Sequence, residues 1–120
     1  YNLMVRLLND RFGVQARGGC SCAGTYGHYL LHVDPARSRS ITDRIDRGDL
    51  SDKPGWVRLS FHPTTTDADV AFCMEAVRET VRRVDEWSAD YEYSRRTNEY
   101  LPRHGTGALH AQVRGWFDLG

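Results

Sequence analysis

This chain of 120 residues is poor in lysine and cysteine, carries no net charge and lacks any long apolar run. Its three cysteines are an odd and sparse set, which argues against a disulfide-stapled scaffold. No apolar run approaches the ~20 residues of a membrane-spanning helix, and no signal-peptide pattern opens the sequence. Sixteen basic and sixteen acidic residues cancel, so the concentrated positive surface that binds nucleic acid is not expected. These shortages predict a cytoplasmic protein that binds neither nucleic acid nor membrane.

Lysine is the shortage with the largest chemical consequence. Lys53 is the only lysine, against fifteen arginines. Lysine is the side chain that forms Schiff bases with carbonyl groups of substrates and cofactors. Lys53 lies in the sequence Ser-Asp-Lys-Pro-Gly, which is typical of a turn. The near-absence of lysine therefore restricts the catalytic chemistry that this chain can supply.

The length and the apolar spacing predict one domain with a modest core. Helical spacing begins at the first residues, as expected for a piece of a longer protein, and Gly13 should end this helix. A short helix is expected over residues 40–47, capped by Ser40. Thr66 and Asp69 resemble a capping box that opens a long helix. The long helix should bury an apolar stripe: Val70, Met74, Val77, Val81 and Val84.

Short strands are expected at residues 14–16 and 56–61, where apolar and polar residues alternate or β-branched residues occur. Between them, residues 18–27 carry four glycines and no periodicity, which predicts a loop. Residues 29–33 fit either a short helix or a short strand.

Together these elements predict an α+β fold, in which one small antiparallel or mixed sheet is covered by helices on one face. Residues 1–91 should form the body of the domain. Residues 92–120 should form a C-terminal extension of the same domain, with a hairpin at residues 93–100 and a tail.

The cysteines at positions 20 and 22 are the first candidates for chemistry. They follow Arg17 and a Gly-Gly pair, and a thiolate beside a fixed positive charge has a lowered pKa and is nucleophilic. On this hypothesis Cys22 is the nucleophile and Cys20 a second thiol. The alternative is a pair of small loop thiols without a role. Cys73 falls on the long helix beside its apolar stripe and is expected to be a packing residue.

A metal site is the main rival for these cysteines. Cys20 and Cys22 are followed by His28 and His32, four residues apart. Two thiolates and two imidazoles suit tetrahedral zinc, although the C-x-C spacing is tighter than usual.

Arg58 is the other candidate, because a charge on a short strand among apolar residues needs a partner. Its planar guanidinium group can donate two parallel hydrogen bonds to a substrate carboxylate. The alternative is an edge-strand arginine paired with a structural acid.

Two segments together resemble a known family. Residues 16–24 read A-R-G-G-C-S-C-A-G, and 33 residues later residues 58–66 read R-L-S-F-H-P-T-T-T, before a helix that starts with acidic residues. This combination resembles the C-terminal domain of class V aminotransferase-fold enzymes, and within them the cysteine desulfurase and selenocysteine lyase branch. The resemblance covers residues 3–87.

The resemblance implies a pyridoxal-phosphate enzyme of fold type I, usually a homodimer. It implies that Cys22 is the sulfur-accepting cysteine and that Arg58 binds the substrate α-carboxylate, with Arg17 also in the substrate site. The implied reaction removes sulfur or selenium from cysteine or selenocysteine and leaves a persulfide and alanine.

The family's Schiff-base lysine belongs to a large domain, which is therefore the implied partner along with a small amino-acid substrate. We expect this chain by itself to bind pyridoxal phosphate weakly or not at all and to be inactive. Two alternatives stay open: a class V aminotransferase or epimerase in which Cys22 takes no part, and a zinc or redox interaction module built on Cys20, Cys22, His28 and His32.

Overall fold

The computed structural model describes residues 1–20, 24–104 and 114–115. In these ranges the chain forms four main helices and four strands. Their order is α1 (Asn2–Phe12), β1 (Arg17–Gly19), α2 (Gly24–Leu30), α3 (Pro35–Asp46), β2 (Trp56–Arg58), α4 (Asp67–Ser88), β3 (Tyr91–Ser94) and β4 (Glu99–Pro102). The α+β class expected from the sequence is confirmed.

The expected single sheet is wrong: the described strands form two separate two-stranded antiparallel sheets, β1–β2 and β3–β4. The predicted strand at 14–16 is also wrong, because the backbone amide of Val14 is hydrogen-bonded to the C-terminal end of α1 and is not free to pair with another strand. Gly13 adopts φ 67° and donates to the Asn9 carbonyl, while the Val14 amide donates to the Leu8 carbonyl at 3.0 Å. Because the Val14 amide is used by this left-handed helix end, β2 has no partner strand beyond Arg17 and ends at Arg58.

Three predicted elements have the expected type. Helix α1 ends at Gly13, as its left-handed conformation requires. Helix α4 begins with a complete capping box, in which Thr66 and Asp69 bond each other's backbone amides. The hairpin β3–β4 turns at Asn98, which has φ 55°.

Several boundaries differ from the prediction. The expected loop at 18–27 contains the end of β1 and the start of α2. Helix α3 begins five residues before Ser40, because Asp34 accepts hydrogen bonds from the Ala36 and Arg37 amides and Pro35 suits the first helical position. Sequence spacing missed this start, since residues 35–39 carry no apolar stripe.

The buried face of α4 also differs from the predicted stripe. Ala76, Thr80 and Trp87 are buried, whereas Val81 is 62% exposed and Met74 39% exposed. A polar Thr80 is tolerated inside because its hydroxyl donates to the Ala76 carbonyl at 2.7 Å. The small Ala76 lets α1 approach α4 closely. Small side-chain size, rather than high hydropathy, therefore identifies the face of α4 that is buried.

The core lies on both sides of α1. Leu7 packs with Trp87 and Tyr91, and Leu8 packs with Val14 and Ala76. Leu7 and Leu8, which are adjacent in α1, therefore belong to two different core clusters. The Leu7 cluster lies toward the β3–β4 hairpin, and the Leu8 cluster lies toward the β1–β2 sheet. Within the described ranges, no helix combines the length and apolar character that a membrane span requires.

Candidate functional site

The two arginines singled out by the sequence lie directly opposite each other in the β1–β2 ribbon. The antiparallel register pairs Arg17 with Arg58, Gly18 with Val57, and Gly19 with Trp56. Residues directly opposite in such a ladder project from the same face, with Cβ atoms ~4.5–5.5 Å apart. The fold therefore brings together two cations that are 41 positions apart in the chain.

The arginines project from the face of the ribbon that is turned away from the core. On the inner face, Val57 packs against the cluster of Leu8, Val14 and Ala76. Gly18 faces α1, where a Cβ would stand 2.8 Å from the Tyr1 ring and 3.0 Å from Val5. Because side chains alternate along a strand, Arg17, Arg58 and Trp56 share the outer face.

Helix α2 covers only one end of this outer face. A Cβ at Gly27 would lie 3.0 Å from the Cys20 sulfur and 3.1 Å from the Trp56 ring, so the helix backbone touches both. At the other end of the ribbon, Arg17 and Arg58 are both exposed. The ribbon thus presents two cations on an open surface beside a covered aromatic ring.

Neither Arg17 nor Arg58 forms an ion pair with a described residue, which removes support for Arg58 as the partner of a structural acid. Glu99 lines a cavity of about 500 Å³ together with Arg17 and Lys53, yet no salt bridge joins Glu99 to Arg17. Six other arginines do pair with carboxylates in the described ranges: Arg6, Arg11, Arg44, Arg78, Arg82 and Arg83.

Cys20 has the environment of a packing residue. It is 8% exposed, and its thiol donates to the Pro54 carbonyl at 2.9 Å. Cys22, the predicted nucleophile, lies outside the described residues. Cys73 is half-buried against the cluster of Leu8, Val14 and Ala76, which confirms its packing role.

The proposed zinc ligands are only partly brought together. Cys20 and His28 line one cavity of about 290 Å³, in which the His28 Nδ1 lies 2.5 Å from the Ser38 hydroxyl. His32 instead lines a different cavity beside His28 and has a left-handed backbone, φ 51°. Among residues 1–20, 24–104 and 114–115, no group of three His, Cys, Asp or Glu side chains is placed to hold a metal ion.

Lys53 borders two cavities that have different linings. Lys53 is exposed on the segment that enters β2 and borders the cavity shared by Cys20 and His28. The described residues lining that cavity include neither a carboxylate for the pyridinium nitrogen nor an arginine for the phosphate. The other cavity that Lys53 borders, of about 500 Å³, does include Arg17 and Glu99.

Sequence reasoning missed two contributions to this region. Arg17 and Arg58 lie opposite each other because of the register in which β1 and β2 pair, and no local sequence pattern predicts that register. The roles of the Gly-Gly pair are also specific: Gly18 makes room for Tyr1 and Val5, and Gly19 adopts φ 107°. The glycine doublet indicates an unusual backbone, which the sequence pattern assigns to a loop and the structure places in β1.

No family model, curated protein or solved structure matches this chain.

Proposed function

We propose that this chain is the small, carboxylate-binding domain of a pyridoxal-phosphate-dependent enzyme that acts on an amino acid and removes sulfur or selenium from it. The cofactor and its lysine belong to a larger partner domain. Arg58 binds the α-carboxylate, Arg17 lies beside it, and the Cys22 thiol accepts the sulfur or selenium atom.

One observation carries the proposal: Arg17 and Arg58, named from separate segments, face each other on an open surface without a carboxylate partner in the described chain. A buried arginine, or one paired with a carboxylate, would be expected to have a structural role. Two exposed arginines at directly opposite strand positions, with no carboxylate partner among the described residues, can instead donate N–H hydrogen bonds to an acidic ligand.

Exposed apolar side chains also favour a domain that packs against a larger one. Exposed apolar side chains cluster on and after α2: Tyr26, Tyr29, Leu30 and Leu31. Contiguous apolar surface of this kind marks a contact region in many proteins.

The test uses the complete polypeptide that carries this chain. We expect the visible absorbance of bound pyridoxal phosphate and the release of alanine from cysteine or selenocysteine. Arg58→Gln should raise KM for the amino acid at least tenfold, because the α-carboxylate loses its bidentate partner. A protein without bound cofactor and without amino-acid turnover contradicts the proposal.

A matched pair of cysteine variants tests the thiol. Cys22→Ser should abolish sulfur release, whereas Cys20→Ser should retain it, since a serine hydroxyl can still donate to the Pro54 carbonyl. Full turnover of amino acids by Cys22→Ser would favour the aminotransferase or epimerase alternative.

A zinc module is the second candidate, favoured by the cavity that Cys20 and His28 share. It requires Cys22 to complete the site with a further ligand. Metal analysis of the purified chain distinguishes the two: one tightly bound zinc per chain, with stability lost on chelation, favours the module. A metal-free folded chain excludes it.

A further inference from the structure

We infer that the space between β1 and β4 binds an extended peptide of a second protein, with acidic residues at the end that reaches Lys53. The peptide adds a strand to both sheets at once and joins them in the order β2–β1–peptide–β4–β3. This interaction surface goes beyond the proposed function and does not depend on it.

Two neighbouring cavities, of about 450 and 500 Å³, lie between β1 and β4 and form one groove. Asn2, Asn98 and Glu99 line both cavities, so the cavities adjoin each other. One wall of this β1–β4 groove is formed by residues 15–20, and the other by residues 97–101. The groove is thus bordered by consecutive residues of two segments, as a cleft that accepts an extended peptide requires.

The two walls of the β1–β4 groove run in opposite directions. Gln15 and Ala16 line the cavity that reaches Leu101, whereas Gly19 lines the cavity that reaches Thr97. An extended peptide between two antiparallel strands is antiparallel to one of them and parallel to the other. Sheet hydrogen bonds form in both arrangements, so the peptide can pair with both walls.

The groove follows strand edges that have no partner among the described strands. There, β1 pairs only with β2, and β4 only with β3. Neither β2 nor β3 contributes a described residue to the two cavities, so the groove borders the edges that face away from these partners. Such edges present backbone N–H and C=O groups to a further strand. An extended peptide satisfies both edges through its own backbone.

Helix α1 forms the base of the groove and contacts both walls. Its lining residues follow helical spacing and lie on one face: Asn2, Val5, Arg6 and Asn9. Toward the first wall, a Cβ at Gly18 would lie 3.0 Å from Val5. Toward the second wall, the Asn2 side-chain amide donates to the Asn98 carbonyl. The walls are therefore positioned before a peptide binds, which lowers the conformational entropy that binding costs.

The charge at one end of the groove favours an acidic peptide. Arg17 and Lys53 line this end together with a single acid, Glu99, so the local charge is positive. In the other cavity, Arg6 is already paired with Asp10 at 2.8 Å. The excess positive charge is therefore confined to the end beside Lys53, where an acidic side chain of the peptide is favoured.

The probe is a capped peptide of sequence Asp-Val-Thr-Val-Thr-Val-Asp, which at ~3.3 Å per residue is slightly longer than either wall. Valine and threonine favour an extended backbone, and valine can pack on Val5 and Leu101. An acid at each end suits either strand direction. Anisotropy of the fluorescein-labelled probe, titrated with the 120-residue chain, should show saturable binding. Amide hydrogen exchange should slow in both residues 15–20 and residues 97–101, and failure of the probe to bind overturns the inference.

Two N-methylated versions of the probe distinguish insertion between β1 and β4 from addition at an outer edge. Methyl groups on alternate peptide nitrogens block one edge of the bound strand, and moving them by one residue blocks the opposite edge. An inserted strand uses both edges, so each version should lose at least about tenfold in affinity. Loss in only one version would place the peptide on an outer edge of β2 or β3 and overturns the inference. Protection of every amide in both walls before the probe is added also overturns it, because the chain itself would then fill the groove.

A matched pair of cation substitutions tests the preference for acid. Lys53→Gln should weaken binding of the probe about two- to fivefold, the range expected for an exposed ion pair. Arg39→Gln is the control, because Arg39 is an exposed cation of α3 that lines neither cavity, and it should leave the affinity unchanged. A counterpart probe with lysine at both ends should bind more weakly than the acidic probe. Equal affinity of the two probes, or equal effects of the two substitutions, overturns the acidic partner.

Discussion

At the scale of single residues, glycines decide how closely the segments around the arginine ribbon can pack. Gly55 is the tightest case: a Cβ there would lie 2.6 Å from the Tyr1 ring and 2.8 Å from the Gly19 backbone. A flexible side chain can yield, but the Gly19 backbone is held by its pairing in β1. The ribbon therefore depends on the absence of a side chain at this position.

We predict that Gly55→Ala destabilises the chain by about 1–3 kcal/mol through overpacking. Urea unfolding should show a lower midpoint with an unchanged slope. Gly115→Ala is the control, because a Cβ at Gly115 meets no atom within 4 Å among the described residues. It should change the free energy of unfolding by less than about 0.5 kcal/mol. Equal effects of the two substitutions would contradict the packing argument.

The pKa of Asp49 is held well below its usual range. Its carboxylate accepts hydrogen bonds from the Ser51 hydroxyl at 2.6 Å and the Ser51 amide at 3.0 Å, and from Arg44 at 2.9 Å. A carboxyl group with a lowered folded-state pKa stabilises the fold above its unfolded-state pKa of about 3.9. This contribution is lost as the pH falls from about 4 toward the lower folded value.

We predict that Asp49→Asn lowers stability at pH 7 and flattens the loss of stability between about pH 4 and pH 2. The measurement is the thermal midpoint as a function of pH. Asp43→Asn is the control, because Asp43 is an exposed α3 residue outside the Arg44–Asp49–Ser51 network. A pH profile of Asp49→Asn that parallels the parent's would contradict the assignment.

At the scale of secondary-structure elements, α4 shows how a buried face can differ from the most apolar one. The face toward α1 contains Ala76 and Thr80, while Val81 lies outside. Close helix packing favours small residues at the contact, and Thr80 satisfies its hydroxyl within the helix. Apolar spacing located the helix correctly and assigned part of its face wrongly.

A matched pair of valines on α4 tests the observed face. Val77 is half-buried against the cluster of Leu8, Val14 and Ala76, whereas Val81 is 62% exposed. We expect Val77→Ala to cost about 1 kcal/mol, roughly half the value for a fully buried valine. Val81→Ala should cost less than about 0.5 kcal/mol. The same urea experiment measures both, and an equal or larger effect at Val81 would support the predicted stripe instead.

At the scale of the whole molecule, the core of the described residues is small and divided. Two small core clusters on either side of α1 hold the described elements together. This small core, together with the exposed apolar residues Tyr26, Tyr29 and Leu30 of α2, is consistent with the proposed packing against a larger domain.

We predict that the 120-residue chain mixed with pyridoxal phosphate retains no cofactor after gel filtration. The physical reason is that Lys53 is exposed, so water can hydrolyse a Schiff base there, and that the cavity it shares with Cys20 and His28 has no described carboxylate or arginine for the cofactor. Absorbance spectra of the eluted protein, with and without borohydride reduction, measure retention. Stoichiometric labelling that Lys53→Arg abolishes would show that this lysine forms the Schiff base after all.

The sequence by itself determined the elements whose signals are local. Gly13 ends α1, Thr66 and Asp69 cap α4, and the hairpin turns near Asn98, because each depends on a few neighbouring residues. The sequence also named Arg17 and Arg58 separately. Only the tertiary structure decided that they face each other, that the strands form two sheets, and that α4 buries Thr80. Strand register and helix faces are set by contacts between distant segments, which local patterns do not encode.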